Sequence, residues 1–262
     1  MEFPMQGGLT RRRALLSASA LVALGATGQA REVSGLLPWQ PGEVWPPEAM
    51  AQPGPWLFLT ADEAAAIEAI AERMIPTDSL GPGGRDAGCA IFIDRQLAGP
   101  YGRRDGWYMQ GPFPADPLPT QGYQLPFTPR DIYRQGLAAL ARHVAAAFSN
   151  RRFQELGGED QDKLLAGLEK GEVKLDGFDG KVLFEQVYGN VMEGYFADPI
   201  YGGNKGMVGW RMIGFPGTRY DFRDVIAHPN QRYTIPPVGL MGRPEWGGPG
   251  GPPITAGSGG RI

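Results

Sequence analysis

Glycine and proline partition this chain more firmly than any other feature of it. Of 262 residues, 40 are Gly and 25 are Pro, and they are unevenly spread. Proline removes a backbone donor and clashes with the preceding helical turn, and glycine costs a helix interior about 1 kcal/mol relative to alanine. The strong helices are therefore expected in the Ala- and Leu-rich stretches between Thr60 and Ala197. Residues 31–57 hold six Pro and three Trp (Trp39, Trp45, Trp56) and read as an extended segment lying over a surface. Residues 235–262 hold nine Gly and six Pro and cannot build a core, so that tail is expected to be mobile alone or docked on a partner. Hydrophobic residues make up 42% of the chain, with 12 Phe, 9 Tyr and 6 Trp, enough for a real core in the middle portion.

Local chemistry places the helices. Thr60 and Glu63 form a capping box, Ile67, Ile70, Ala71 and Met74 share one face, and Pro76 stops the first helix. A second helix is expected from Asp86 to Leu97, with Ile91, Phe92 and Leu97 apolar and Gly99-Pro100 ending it. Thr128-Pro129-Arg130-Asp131 starts a third, with Thr as N-cap and Pro at the first helical position. Its apolar face runs Leu137, Leu140, Ala141, Val144, Phe148. A shorter helix covers about 159–169 through Leu164, Leu165 and Leu168, after which Asp176 and Asp179 make a turn. From about Gly180 a further helix carries Phe184, Val187, Tyr188, Val191 and Tyr195. Period-two alternation is absent. The expected fold is mainly α: an irregular helical domain over residues 58–234, with long Gly/Pro/aromatic-rich loops and extended N- and C-terminal segments.

Residues 1–30 read as an address. Thr10 and three arginines, Arg11 to Arg13, precede a mild apolar run of 14 residues, Ala14 to Thr27. That run is shorter than the roughly 20 residues a membrane span needs. With the small-x-small ending Gly28-Gln29-Ala30 it has the form of a cleavable export signal. Consecutive arginines and a weakly hydrophobic core favour the twin-arginine route, although Ala14-Leu15 only partly match its consensus. Twin-arginine export moves folded proteins and commonly serves those that take up a cofactor first. This chain carries no cofactor motif, so one resolution is that it escorts a partner that does.

Several chemistries are excluded as the chain's own. The net charge of −3 lacks the basic excess of a nucleic-acid binder. One Cys excludes an internal disulfide, a c-type haem attachment site and Cys-ligated iron–sulfur clusters, and two His make an all-protein zinc site unexpected. His143 and His228 have no nucleophile elbow or paired-His spacing beside them, so a structural or surface role is expected of both. The glycines at 247–251 follow no strand and make no phosphate cradle. Cys89 opens a helix and reads as a buried thiol; the sharper alternative is an intersubunit disulfide in an oxidising compartment.

Two irregular stretches stand out instead. Residues 99–127 carry Tyr101, Trp107, Tyr108, Phe113 and Tyr123 in a loop long enough to suggest function. The stretch 190–217 mixes glycines with aromatics, Met and Arg, residue types enriched at interface cores. Candidate interface residues are Trp107, Tyr108, Asn190, Glu193, Tyr201, Gly202, Gly203, Asn204, Trp210, Arg211 and Phe215. The competing reading is a glycine-rich loop folded back on its own helices, and the two are compatible.

At Phe58-Leu-Thr-Ala-Asp-Glu63, Met74-Ile-Pro-Thr-Asp78, Phe92-Ile-Asp-Arg-Gln-Leu-Ala-Gly-Pro-Tyr101, Asp198-Pro-Ile-Tyr-Gly-Gly-Asn204 and Trp210-Arg-Met-Ile-Gly-Phe-Pro-Gly217 the chain resembles the gluconate 2-dehydrogenase subunit 3 family. These are small subunits of membrane-associated flavin dehydrogenases. The resemblance spans roughly residues 58–240 and implies a three-part complex. A large subunit of the glucose–methanol–choline type holds FAD and oxidises a sugar, sugar acid or polyol. A multi-haem cytochrome c subunit passes electrons toward quinone. The small subunit has no catalytic, cofactor or metal site of its own; it carries the export signal and serves the large subunit's maturation and translocation. The implied location is periplasmic, peripheral on the inner membrane through the partners. An independent exported enzyme, for instance a hydrolase using His228, and a stand-alone periplasmic sugar-binding protein are the alternatives.

Overall fold

Among the described residues the chain forms seven α-helices and no strand, as its patterning requires. The computed structural model describes residues 54–114, 116–218 and 237–240, together with 223, 226, 229 and 230. All belong to one compact unit, Pro41–Pro253. Residues 1–30, expected to be an export leader, the segment before Gly54 with Trp39 and Trp45, His228, and the tail after Leu240 lie outside the described residues.

Capping chemistry sets the helix starts. In α1 (Ala61–Met74) Thr60 Oγ1 accepts from Glu63 N at 3.2 Å while Glu63 accepts from Thr60 N at 2.8 Å. Residue 88 displaces the start of α2 (Cys89–Ala98) beyond the expected Asp86: Gly88 is left-handed, φ 79°, and the turn before it closes through Cys89 N to Gly84 O at 3.1 Å. Proline at the first position then starts a short α3 (Pro100–Arg103), so the stretch expected to be irregular begins with one helical turn. After a 3-10 turn at Pro119–Gln121, the reciprocal Thr128–Asp131 cap starts α4 (Pro129–Ala147). Then come α5 (Gly158–Glu169), α6 (Gly180–Phe196, capped by Asp179) and a short α7 (Val208–Ile213).

Helix α6 is the centre of the unit and packs on α2, α4 and α5. Its buried face runs Leu183, Val187, Asn190, Val191, Gly194 and Tyr195. The expected face is thus rotated by part of a turn: Phe184 is half-buried and Tyr188 exposed. Glycines cause the rotation. At Gly136 of α4 a Cβ would stand 2.7 Å from Leu183 Cδ1, and at Gly194 one would stand 2.9 Å from Phe92 Cδ1. Each glycine is a slot for the facing side chain, and close-packed interiors leave no room for both. On α4, Ile132 and Tyr133 join the core while Ala141 turns to the surface.

A second device ties the segment before α1 to α2. Asp94 is fully buried, and its carboxylate accepts the backbone N–H groups of Leu57, Phe58 and Leu59, each at 2.9 Å. Arg95 pairs with the same carboxylate at 2.5 Å and donates to Pro55 O at 3.3 Å. Arg134 covers the Phe58 ring at 4.4 Å and donates to its carbonyl.

Candidate partner interface

The loop after α3 is built around one cation. Arg104 caps α3 in the left-handed region, φ 56°, which turns its side chain away from the salt-bridged Arg103–Asp105 pair. Its guanidinium carbon stands 4.2 Å from the Trp107 ring centroid and 3.6 Å from that of Tyr123. The two rings meet at 87°, so the cation sits in the corner between them. Tyr123 is fixed in turn by its hydroxyl, which donates to Phe127 O at 2.6 Å. Burial pushes the Tyr123 phenol up, against the opposing pull of Arg104. At this corner Trp107 is 59% exposed, and the following Tyr108 81%.

Asn190 belongs to the interior. It donates to Tyr101 Oη at 2.8 Å and to Glu193 at 2.9 Å, and accepts from Tyr133 Oη at 3.1 Å and Gln186 at 3.0 Å. Every hydrogen-bonding position of the amide is used, which is what permits its burial inside a helical core. Burial raises the phenols of Tyr101 and Tyr133, so both are held protonated as hydrogen-bonding groups. Glu193 is exposed on the outer side of the same network.

The segment 198–217 folds back over the ends of α6 and α2. Asn204, left-handed at φ 46° and fully buried, donates to Ala197 O at 2.8 Å and accepts from Gly209 N at 2.9 Å. Gly203 lies directly on the Gly194 carbonyl, where a Cβ would overlap it. Trp210 is buried, its indole N–H donating to Phe196 O at 2.7 Å and its ring edge-on to Phe215 at 5.2 Å. Asn190, Gly203, Asn204 and Trp210 therefore serve this chain's own packing, whereas Tyr201 and Phe215 are 49% and 43% exposed and Arg211 is on the surface. Gly202, left-handed at φ 97°, closes the 3-10 turn Pro199–Tyr201 against Ile91. Residues 237–240, expected within a loose tail, return to this layer: Val238 pairs with Pro216 and Thr218, and Leu240 N donates to Asp198 at 2.7 Å.

Between α2 and α6 runs a shallow, open groove of 420 Å³, lined by Phe92, Gln96, Glu193, Phe196, Ala197 and Tyr201. It is chiefly apolar, with Gln96 and Glu193 as its charged or amide side chains. Cys89 lies in the core, its thiol donating to Val191 O at 3.6 Å, and burial pushes its pKa up to about 12. The thiol is free and buried, which in this packing favours the buried-thiol reading of Cys89 over the alternative of an intersubunit disulfide. Among the described residues no three His, Cys, Asp or Glu side chains form a metal-sized cluster, and no helix is long and apolar enough to cross a membrane. Sequence reasoning missed Arg104 and Asp94, although Asp94 lies inside the motif beginning at Phe92.

The family model described as gluconate 2-dehydrogenase subunit 3 matches residues 61–217, from the start of α1 to the end of the return segment. The chain belongs to that family, whose members are subunits of an oxidoreductase complex. No curated protein and no solved structure gives a significant match to it.

Proposed function

We propose that this chain is the non-catalytic small subunit of a periplasmic FAD-dependent dehydrogenase complex of the gluconate 2-dehydrogenase type. In this reading it aids the maturation, twin-arginine co-export and stability of the flavin-bearing large subunit, of the glucose–methanol–choline type, which oxidises a sugar, sugar acid or polyol. FAD belongs to that partner. A multi-haem cytochrome c subunit is the expected electron acceptor, and it holds the assembly peripherally at the inner membrane.

Family membership supplies the framework, and one observation carries the reading for this chain. Trp107, Tyr108, Tyr201 and Phe215 stand exposed, and the main-chain N–H groups of Trp107, Tyr201 and Phe215 are hydrogen-bonded within their turns. Aromatic side chains bury large areas at little conformational cost and dominate interface cores. On a subunit, such rings belong against a partner.

The test is a pull-down of the tagged chain from its native periplasm, with an absorbance spectrum of the eluate. Flavin bands at roughly 380 and 450 nm and a second protein band are expected; haem absorbance in the same eluate reports the cytochrome. Combined Ala substitution of Trp107, Tyr108, Tyr201 and Phe215 reduces the flavin captured per chain. Trp210 is left intact because its burial makes it a folding residue. A colourless eluate with a single band refutes the reading.

A further inference from the structure

Five arginines are matched to acids: Arg73 to Asp162, Arg95 to Asp94, Arg103 to Asp105, Arg134 to Glu63 and Arg152 to Asp62 and Glu155. Others, such as Arg130 and Arg142, donate to main-chain carbonyls instead. Arg104 does neither. None of the ion pairs among the described residues includes it, and its Nε is buried without a hydrogen-bond partner. The side chain is nonetheless held, by Trp107 and Tyr123, with Tyr123 locked onto the Phe127 carbonyl. Aromatic rings attract a guanidinium through its face; apart from a hydrogen-bonding contact with Tyr123, that leaves in-plane N–H groups of Arg104, Nε among them, for another acceptor. The outcome is a preoriented cation with no ion-pair partner among the described residues, packed on the exposed ring of Trp107, which the exposed Tyr108 follows in sequence.

We infer that Arg104 is the anchor of the partner-docking surface and receives a side-chain carboxylate of the dehydrogenase's large subunit, with Trp107 and Tyr108 excluding water around the pair. This rests on the reading of the chain as an accessory subunit and adds to it the chemistry of the partner's contact point. A protein carboxylate fits on three counts. The planar fork matches two carboxylate oxygens. Fixing the fork in advance removes the entropy that normally offsets a surface ion pair. A rim of aromatic rings supplies the desolvation under which a charged hydrogen bond gains strength.

The full-length tagged chain is co-expressed with its flavoprotein subunit, and flavin retained per chain is measured across a NaCl series. Four chains are compared: wild type, Arg104→Gln, Arg104→Lys and Arg151→Gln, the last changing a surface arginine away from the corner. Arg104→Gln is expected to lower the affinity by about tenfold or more and to flatten the salt dependence. Arg104→Lys, which keeps the charge and loses the fork, falls between, and Arg151→Gln behaves as wild type. Melting temperatures of the four chains show that the folds are equivalent. Equal capture and equal salt dependence for wild type and Arg104→Gln overturn the Arg104 assignment while leaving the accessory-subunit reading standing. A wild-type chain that retains no flavoprotein at any salt overturns that reading and this inference together.

Discussion

Replacing Asp94 by Asn changes no volume and tests the device that fastens the segment before α1. One carboxylate oxygen accepts from Phe58 N and Leu59 N; the other accepts from Leu57 N and from Arg95. The amide keeps one oxygen and turns its NH₂ toward two donors, so two charge-assisted hydrogen bonds become two opposed donor pairs. Hydrogen bonds to charged groups contribute about 1.5–3 kcal/mol each. Leu57 is 62% exposed, so water recovers part of the loss on that side. The expected net cost is about 3 kcal/mol, in line with breaking one partner of a buried charged contact.

For a unit of this size each kcal/mol moves the midpoint by about 2–4 °C, so thermal unfolding of Asp94→Asn is expected about 6–12 °C below wild type. The loss begins at one place. Leu57–Leu59 are released first, carrying Leu59 out of the core, so limited proteolysis should cut near residue 57 before it cuts any helix. A variant melting within about 2 °C of wild type, with the same cleavage pattern, refutes the claim that Asp94 holds this segment.

Gly203→Ala places a methyl group on the Gly194 carbonyl, and overpacking of this kind costs about 1–3 kcal/mol; a measured midpoint equal to wild type would show that the return segment gives way freely. Cys89 is expected to stay unreactive toward a thiol reagent in the native chain and to react fully in denaturant. Its raised pKa also predicts a stability slope. Below the ordinary thiol value of 9.0 neither state is ionised; between 9.0 and about 12 only the unfolded chain loses the proton, so stability falls as pH rises. The fall is about 1.4 kcal/mol per pH unit from this group, and a Cys89→Ala chain compared with wild type isolates it.

What could be read in the sequence was what its neighbours decide. Thr60 and Glu63, or Thr128, Pro129 and Asp131, settle a helix start within four residues, and Leu164, Leu165 and Leu168 face the core as their spacing requires. Asp94 could not be placed this way. Its partners are main-chain N–H groups more than thirty positions earlier, which no side-chain pattern encodes. The face of α6 was misjudged for a related reason, since Gly136 and Leu183 choose each other across two helices. In the return segment, composition marked out the residues without sorting them. Trp210 and Phe215 have equal standing as interface candidates until the hydrogen bond to Phe196 O takes one of them inside.

That sorting bears on how the chain meets a partner. A loop rich in glycine and aromatics normally becomes ordered either by burying its rings or by binding, and binding then has to offset the lost freedom. Here single polar side chains hold the irregular backbone instead. Asp94 collects three amides, Asn204 spans Ala197 and Gly209, Asp198 accepts from Ile200 and Leu240, and Tyr195 donates to Pro82. Each fixes a turn through main-chain groups and asks nothing of the nearby rings. Trp107, Tyr108, Tyr201 and Phe215 can therefore remain outside without loosening the fold that carries them. A surface prepared in this way would give up little entropy in the proposed docking, so affinity is expected to depend on the rings and on Arg104 more than on the area covered.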